Sequence, residues 1–434
     1  MYIYTTMKRS IIVQKEIDVP IFDLVISFTN TLDLISPLLV NHHKQVSYIA
    51  YEISAEMGLS FEEQKNIMLA GALHDIGGIT VQERIGALQF EAENPHLHAE
   101  TGYSLFKASE PFAVIAGIIR YHHNWWEKGE DFVPLGSHIV HLADRVAISI
   151  EKEKDILSQV DDIVSIIEKQ SGRMFMPSVV HAFKELARKE VFWFNATSQF
   201  IVQVLKEKVN PEYLKMDMEG LSIIAKIFSQ IIDFRSPFTA NHSSGVAATS
   251  EALARLLCFS TREQLMIKIA GLLHDVGKLA IPQEILEKAG PLTKEEFCRI
   301  KVHTYYTYRT LAPITELSDI NRWCSFHHER LDGTGYPFRL KGDELPLGSR
   351  ILAVADVFTA ITEERPYRRG MTQSEALAVL NNMSKGNALD KRIVELLIEN
   401  YGEINLARLQ AQKEVCEDYR TLFAEHKDKE ITFC

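Results

Sequence analysis

Cysteine is scarce in this sequence of 434 residues: five copies all lie in the second half, and none forms a CxxC pair. This spacing predicts neither a disulfide framework nor a zinc ribbon. The chain also lacks the run of about 18 apolar residues that a membrane span needs, and its first residues do not resemble a signal peptide. We therefore expect a cytoplasmic protein that does not contact the membrane.

Positive charge is also in deficit, with 47 Lys and Arg against 58 Asp and Glu and a formal net charge of −11 at pH 7. An acidic protein repels nucleic-acid phosphates, so we expect no nucleic-acid polymer as a partner. The length allows about two to four domains. What the chain has in excess is histidine, with 16 copies.

An internal repeat organises the chain. The matching segments are 35–42 with 235–242, 70–77 with 270–277, 121–123 with 326–328, and 140–144 with 352–356. The offset grows from 200 to 205 and then to 212, as loop insertions in one copy would produce. We predict a tandem duplication with domains at 1–208 and 209–434, since a charged, proline-containing break follows Lys206.

Both copies have the periodicity of helices. Apolar residues at 265, 266, 269, 272, 273 and 276 recur at helical steps. Thr261, with Gln264 in the capping-box position, predicts the start of this helix, and Ser60 predicts the start of its counterpart. Apolar and polar residues do not alternate over long stretches, so the predicted fold is all-α, with two helical domains.

Histidine and aspartate recur in the same order in both copies. The second copy contains His242, His274, Asp275, His303, His327, His328 and Asp356. The first copy contains His42, His74, Asp75, His98, His122, His123 and Asp144, with His43 as an alternative to His42 that the alignment disfavours. These side chains bind first-row divalent metals. Seven ligands exceed the four of a structural zinc site, so we predict two metals in the second copy and a second metal set in the first.

The ligand spacing indicates hydrolysis of a phosphate ester. His274 and Asp275 point about 100° apart on a helix, which lets the aspartate bridge two metals. Two metals about 3.5–4 Å apart clamp a phosphoryl group for in-line attack by water. Lys278 lies one turn beyond His274 and either faces the scissile phosphate or is an exposed lysine at a helix end.

These residues resemble the HD superfamily of metal-dependent phosphohydrolases, and the second half resembles its HD-GYP branch. The motifs are His274–Lys278, Ile281–Lys288, His327–Pro337, Arg350–Asp356 and Arg365–Arg368. The resemblance implies a bacterial signalling enzyme that linearises a cyclic dinucleotide, either cyclic di-GMP or 3′,3′-cyclic GMP-AMP. A divergent HD domain before an HD-GYP domain is similar to a subset associated with the second substrate. The implied metals are iron or, alternatively, manganese, cobalt or nickel.

The resemblance also implies which residues act on the substrate. Asp275 and Lys278 are the expected catalytic residues, and the expected substrate contacts are Lys278, Gly335, Tyr336, Pro337, Arg365 and Arg368. For Tyr336 the alternative is a loop anchor, and for the two arginines it is salt bridging. Phe238 replaces a glutamate that recruits a third metal in some members, Ser236 replaces an aspartate, and Thr307 replaces a glycine and is expected to narrow the pocket.

The first copy departs further from the family. Gly78 replaces the lysine, and residues 124–129 replace the glycine-tyrosine-proline loop. We interpret residues 1–208 as a degenerate HD domain that regulates or dimerises, with Trp125 and Trp126 packed in the core or an interface. Two alternatives remain for the whole chain: a cyclic dinucleotide sensor without catalysis, and an HD-type nucleotidase or alarmone hydrolase. The sequence allows a homodimer.

Overall fold

A computed structural model describes residues 18–34, 40–78, 95–109, 112–209, 215–234, 241–288, 290–364 and 369–423. Within these ranges the chain is almost entirely helical, which confirms the all-α prediction. The first half contains β1 (Val19–Pro20), α1 (Ile21–Asp33), α2 (His42–Glu56), α3 (Phe61–Leu73), α4 (Pro95–Phe106), α5 (Ala113–Arg120), α6 (Leu135–Ser149), α7 (Val160–Lys169), α8 (Pro177–Ala187), α9 (Glu190–Thr197) and α10 (Ile201–Val209). The second contains β2 (Lys215–Met216), α11 (Met218–Phe234), α12 (His242–Leu256), α13 (Thr261–Leu273), α14 (Gln283–Leu286), α15 (Lys294–Leu311), α16 (Ser318–Ser325), α17 (Leu347–Thr362), α18 (Gln373–Lys385), α19 (Lys391–Glu399) and α20 (Tyr401–Phe423).

Equivalent helices of the two halves begin with the same local signal. Ser60 and Ser260 are the N-caps of α3 and α13, and each exchanges hydrogen bonds with the glutamate three residues later in a capping box. The prediction for Ser60 is confirmed. The assignment of Thr261 and Gln264 is wrong by one residue, because Ser260 has the extended backbone (ψ 156°) that an N-cap requires.

The two halves meet through their equivalent first helices. Phe28 of α1 stacks on Phe228 of α11, with ring centroids 3.6 Å apart and planes at 12°, and both rings are buried. The two positions are 200 residues apart, so the repeat reappears as a contact between equivalent residues. The hydroxyls of Thr31 and Thr310 share a hydrogen bond of 2.6 Å, and β1 pairs antiparallel with β2. The hydrophobic core therefore runs through both halves.

One helix lies at the centre of each half. In the first half α2 packs against α3, α6 and α8, and in the second half α12 packs against α13, α17 and α20. In each half the predicted ligands lie at the start of the central helix, in the turns that follow two other helices, and within two further helices. Packing of the apolar helix faces therefore positions the ligands.

Two remaining features are the state of the cysteines and the hydropathy of the helices. Cys258, Cys298 and Cys324 are free thiols, whereas Cys416 is disulfide-bonded, which the cysteine spacing did not predict. Among the described residues, the helices lack the combination of length and apolar character that crossing a bilayer requires.

Candidate dimetal site

The seven residues predicted in the second half converge in one cluster. They are His242 at the start of α12, His274 and Asp275 after α13, His303 on α15, His327 and His328 after α16, and Asp356 on α17. Nε2 of His242 lies 3.1 Å from Oδ1 of Asp356. Nε2 of His274 lies 3.1 Å from Oδ2 of Asp275, and Nε2 of His303 lies 3.4 Å from its Oδ1. The two oxygens of Asp275 therefore face different histidines, as a bridging carboxylate does.

Backbone carbonyls orient three of the histidine rings. Nδ1 of His274, His303 and His327 lies 2.7, 2.6 and 2.5 Å from the carbonyl oxygen three residues earlier. With the proton on Nδ1, each Nε2 keeps a lone pair that points into the cluster. These three Nε2 atoms and Oδ1 of Asp275 are buried without a hydrogen-bond partner. Buried acceptors are normally satisfied, so this donor set fits divalent metal ions.

Burial and neighbouring charges favour the metal-binding protonation state at three of the ligands, His303, His327 and Asp275. Burial lowers the pKa of His303 to about 3 and places the pKa of His327 well below its usual value. Burial alone would raise the pKa of Asp275, but His274 and Lys278 hold that pKa well below the usual range. Neutral imidazoles and ionised carboxylates are the forms that coordinate metal.

Glu363, which was not predicted from the sequence, supports the ligand His242. The Glu363 carboxylate lies 3.1 Å from Nδ1 of His242, and its charge, with that of Asp356, outweighs burial and raises the pKa of His242 to about 10. Gln412 donates to Glu363 over 2.7 Å, and Arg408 donates to Gln412 over 2.6 Å. This buried network joins α20 to the cluster. The one available signal was the position of Glu363 two helical turns beyond Asp356.

The second-half cluster opens to solvent on one side. The side chains of His328 and Asp356 are 30% and 13% exposed, whereas the other five ligands are at most 4% exposed. Lys278 borders this opening, with Nζ 2.6 Å from Oδ2 of Asp275. The ring of Tyr336 lies 5.0 Å from that of His328. A phosphate that enters from this side meets the cluster and the lysine together.

The loop that follows the histidine pair is closely packed. A Cβ at Gly335 would come within 2.4 Å of the backbone at Glu329, so this position requires glycine. Oε1 of Glu329 accepts hydrogen bonds from the N–H groups of Phe338 and Arg339 at 2.6 and 3.0 Å, which closes the loop behind Pro337. Tyr336 is thereby held beside His328.

The other residues that the sequence singled out lie behind the ligands or outside the described residues. Thr307 is fully buried, and its hydroxyl donates to the carbonyl of His274 over 3.0 Å and accepts from N–H of Gly277 over 3.1 Å. The prediction that Thr307 narrows the pocket is therefore wrong, because the hydroxyl is used by the backbone behind the ligands. Outside the described residues lie Ser236, Phe238, Arg365 and Arg368, whose roles stay predictions.

The first half repeats the cluster. The structure brings together His42, His74, Asp75, His98, His122, His123 and Asp144. His43 instead binds Asp33, with Nδ1 2.6 Å from Oδ1, so His42 is the residue that faces the cluster. Gly78 provides no ammonium here. Trp126 is partly exposed and its ring lies 5.4 Å from that of His138, outside the cluster.

Comparison with known proteins finds an HD domain in each half. Family models described as "HD domain" match residues 39–149 and 226–393. A 3′3′-cGAMP-specific phosphodiesterase 1 of Vibrio cholerae is 30% identical over 385 residues, which cover 85% of this chain and 89% of that protein. A cyclic di-GMP phosphodiesterase of Pseudomonas aeruginosa is 43% identical over 141 residues, which cover 32% of this chain and 34% of that protein.

A solved structure shares the architecture. The crystal structure of a cyclic GMP-AMP specific phosphodiesterase of Vibrio cholerae superimposes with a TM-score of 0.59 at 23% identity. The match covers 92% of this chain and 98% of that one. At this identity the match establishes the fold.

Proposed function

The chain belongs to the HD-GYP family of phosphodiesterases, and on this premise we propose that its second half hydrolyses a 3′–5′ phosphodiester of a cyclic dinucleotide. We propose 3′,3′-cyclic GMP-AMP and cyclic di-GMP as the substrates, because these compounds appear in the names of the similar phosphodiesterases. The product is the linear 5′-phosphorylated dinucleotide. One observation carries the proposal: an inward-facing His and Asp cluster is open to solvent where Lys278 and Tyr336 border it.

The residues that would hold two divalent ions are His242, His274, Asp275, His303, His327, His328 and Asp356. Imidazole and carboxylate suit iron, manganese, cobalt or nickel, and we propose iron. When bound, the ions supply Lewis-acid stabilisation of the phosphoryl oxygens and lower the pKa of water.

The chain's own residues position the phosphodiester. The Lys278 ammonium stands at the edge of the cluster and offsets charge on the phosphate. Tyr336, held by its loop, offers a ring against which a base can stack, and Arg365 and Arg368 are proposed to contact phosphate or guanine. In the reaction a water oxygen bonds to phosphorus, the bond from phosphorus to the ribose 3′-oxygen breaks, and that oxygen leaves with a proton.

The two halves receive different roles. We propose that residues 209–434 are the catalytic domain and that residues 1–208 are a divergent HD domain with a regulatory or dimerising role. We further propose that the protein acts in the cytoplasm, where cyclic dinucleotides are made and used as signals.

Two matched double variants test the function. His274→Ala with Asp275→Ala removes ligands from the second half, and His74→Ala with Asp75→Ala removes their equivalents from the first. The full chain is loaded with Fe²⁺ or Mn²⁺ without oxygen and given each cyclic dinucleotide, and the products are separated by liquid chromatography. Loss of several kcal/mol of transition-state stabilisation lowers turnover by the second-half variant by about 10³-fold or more.

The first-half variant is the control and retains turnover as long as circular dichroism shows it folded. Full turnover by the second-half variant would remove the proposed function. Tight binding of both dinucleotides by metal-loaded wild type, without any cleavage, would identify a sensor instead.

A further inference from the structure

The first-half cluster is sealed from solvent. Its seven side chains are at most 6% exposed, and His123 and Asp144, the counterparts of His328 and Asp356, are 4% and 1% exposed. A phosphodiester that reaches the open side of the second-half cluster has no equivalent approach here. The difference lies in what covers the ligands, since both sets have the same residue types.

An arginine covers one ligand. Arg145 is 1% exposed, and its Nη2 and Nε lie 2.5 and 3.1 Å from Oδ2 of Asp144. At the offset of 212 its counterpart is Val357, next to the partly exposed Asp356. A guanidinium therefore occupies Oδ2 of Asp144, whereas Oδ2 of Asp356 lies 3.8 Å from Nδ1 of the partly exposed His328.

A second large side chain closes the same region. The ring of His141 lies 5.8 Å from that of His123 and 5.3 Å from that of Phe175, and His141 is buried. The counterpart at the offset of 212 is Ala353. Burial and the charge of Arg145 lower the pKa of His141 to about 3, so it is neutral at physiological pH.

The sealed ligands are nevertheless prepared for metal. Nδ1 of His74 and His122 lies 2.8 and 2.6 Å from backbone carbonyl oxygens, which leaves each Nε2 as an inward-pointing lone pair. Nε2 of His42 and His74 and the Oδ1 atoms of Asp75 and Asp144 are buried without hydrogen-bond partners. Buried polar atoms are normally paired, so four unpaired atoms in one place favour a bound cation there.

Two coordination sets share one carboxylate. Oδ2 of Asp75 lies 4.0 and 3.3 Å from Nε2 of His42 and His74, and its Oδ1 lies 3.1 and 3.9 Å from Nε2 of His98 and His122. Such separations suit tetrahedral coordination at metal–ligand distances of about 2.0–2.1 Å. His123 completes the second set, and Asp144 completes the first.

We propose that the first half holds a sealed two-metal centre whose role is structural, closed by Arg145 and His141. Metal binding there stabilises the folded domain, because the ligands come together only in the folded state. The centre takes no phosphodiester, since its outer carboxylate oxygen is paired and its ligands are covered. The first-half centre is a different site from the second-half cluster, and its metal content can be measured without turnover.

Metal analysis tests occupancy. The full chain carrying His274→Ala with Asp275→Ala, which disables the second-half cluster, is reconstituted with Co²⁺ and gel-filtered. About two equivalents per chain are expected to remain, with the visible spectrum of four-coordinate Co²⁺. Further substitution of Asp75→Asn should remove them and lower Tm. Retention of no Co²⁺ would overturn the proposal, and retention of one would overturn the shared-carboxylate centre.

Chelator kinetics test the seal. In wild-type protein loaded with Co²⁺, excess EDTA should release the second-half metals at least about tenfold faster than the first-half metals, because access limits release. Arg145→Val, which installs the second-half residue, should accelerate the slow phase about tenfold, while Arg145→Met keeps the bulk and stays slow. His141→Ala opens the same region if the arginine variant does not fold. A slow phase unchanged in both open variants, or equal rates in wild type, would contradict a seal.

Discussion

Asp144 and Asp356 are equivalent ligands in different surroundings. Asp144 gives its outer oxygen to the buried guanidinium of Arg145, whereas the outer oxygen of Asp356 lies 3.8 Å from Nδ1 of the partly exposed His328. Two complete ligand sets of the same residue types therefore differ in their access to solvent. Whether the neighbours leave one side open decides whether substrate can reach the ligands.

The backbones around the two ligand sets are closely alike. A Cβ at Gly77 would come 2.1 Å from the carbonyl oxygen of His98, and one at Gly277 would come 1.9 Å from that of His303. Both positions therefore need glycine, because in each half the turn that follows the His-Asp pair touches the helix that carries the next histidine ligand. The proposed difference in function between the halves therefore depends on a few side chains, which substitutions can exchange.

The largest effect is expected from Val357→Arg, which places the sealing residue in the second half. A guanidinium paired with Asp356, as Arg145 pairs with Asp144, would obstruct the open side of the second-half cluster. Loss of several kcal/mol of transition-state stabilisation corresponds to about a 10³-fold lower kcat/KM. Val357→Met is the uncharged control and should lose far less. Equal activity of the two variants in a steady-state assay would show that the charge of Arg145 does not distinguish the halves.

A smaller effect is expected from Lys278→Gly, which installs the first-half residue Gly78. Hydrogen bonds to charged groups contribute about 1.5–3 kcal/mol, so kcat/KM should fall about 10- to 100-fold while metal content stays unchanged. Lys278→Arg should recover part of the loss because it keeps the charge. Activity at the wild-type level in Lys278→Gly would mean that Lys278 is only a lysine at a helix end.

Glu363→Gln tests the support that the second-half ligand His242 receives. The amide oxygen still accepts a hydrogen bond from Nδ1 of His242, but the negative charge is lost. Metal affinity should therefore fall about tenfold, which is the lower end of the range for residues that hydrogen-bond to a metal ligand. The measurement is competition with a metal-sensitive dye. Glu364→Gln, at the next residue, is the matched control. An unchanged affinity would show that the network from α20 does not tune the metal.

The smallest effect concerns the shared scaffold. Ser60→Ala and Ser260→Ala each remove a capping box and should each lower the free energy of unfolding by about 1 kcal/mol, measured by urea denaturation. Because the caps have the same geometry, the two losses should agree closely. Clearly unequal losses would mean that the halves differ in stability as well as in access.

Much of the fold and of the site could be predicted from residue order. Helix starts such as Ser60 follow from capping chemistry, which acts within four residues. The repeat predicted which histidines belong together, and the structure places His42 rather than His43 in its cluster. The cap at Ser260 was missed by one residue, since serine and threonine stand side by side there.

Other features could not be predicted from the sequence because they join segments that are far apart in the chain. Glu363, Gln412 and Arg408 act on His242 from positions 121 to 170 residues away, and only the two helical turns between Asp356 and Glu363 offer a spacing that marks any of them. Thr307 was assigned to the pocket because it replaces a glycine, yet its hydroxyl serves the backbone behind the ligands.

The sequence by itself determined the duplication, the helical class, the two ligand sets and the resemblance to phosphohydrolases, because each depends on residue types in order along the chain. Only the tertiary structure decided that one cluster is open and the other sealed. Access depends on which side chains the packing brings over the ligands, such as Arg145 over Asp144 and Tyr336 beside His328. That packing is a collective result of the core and cannot be read from local spacing.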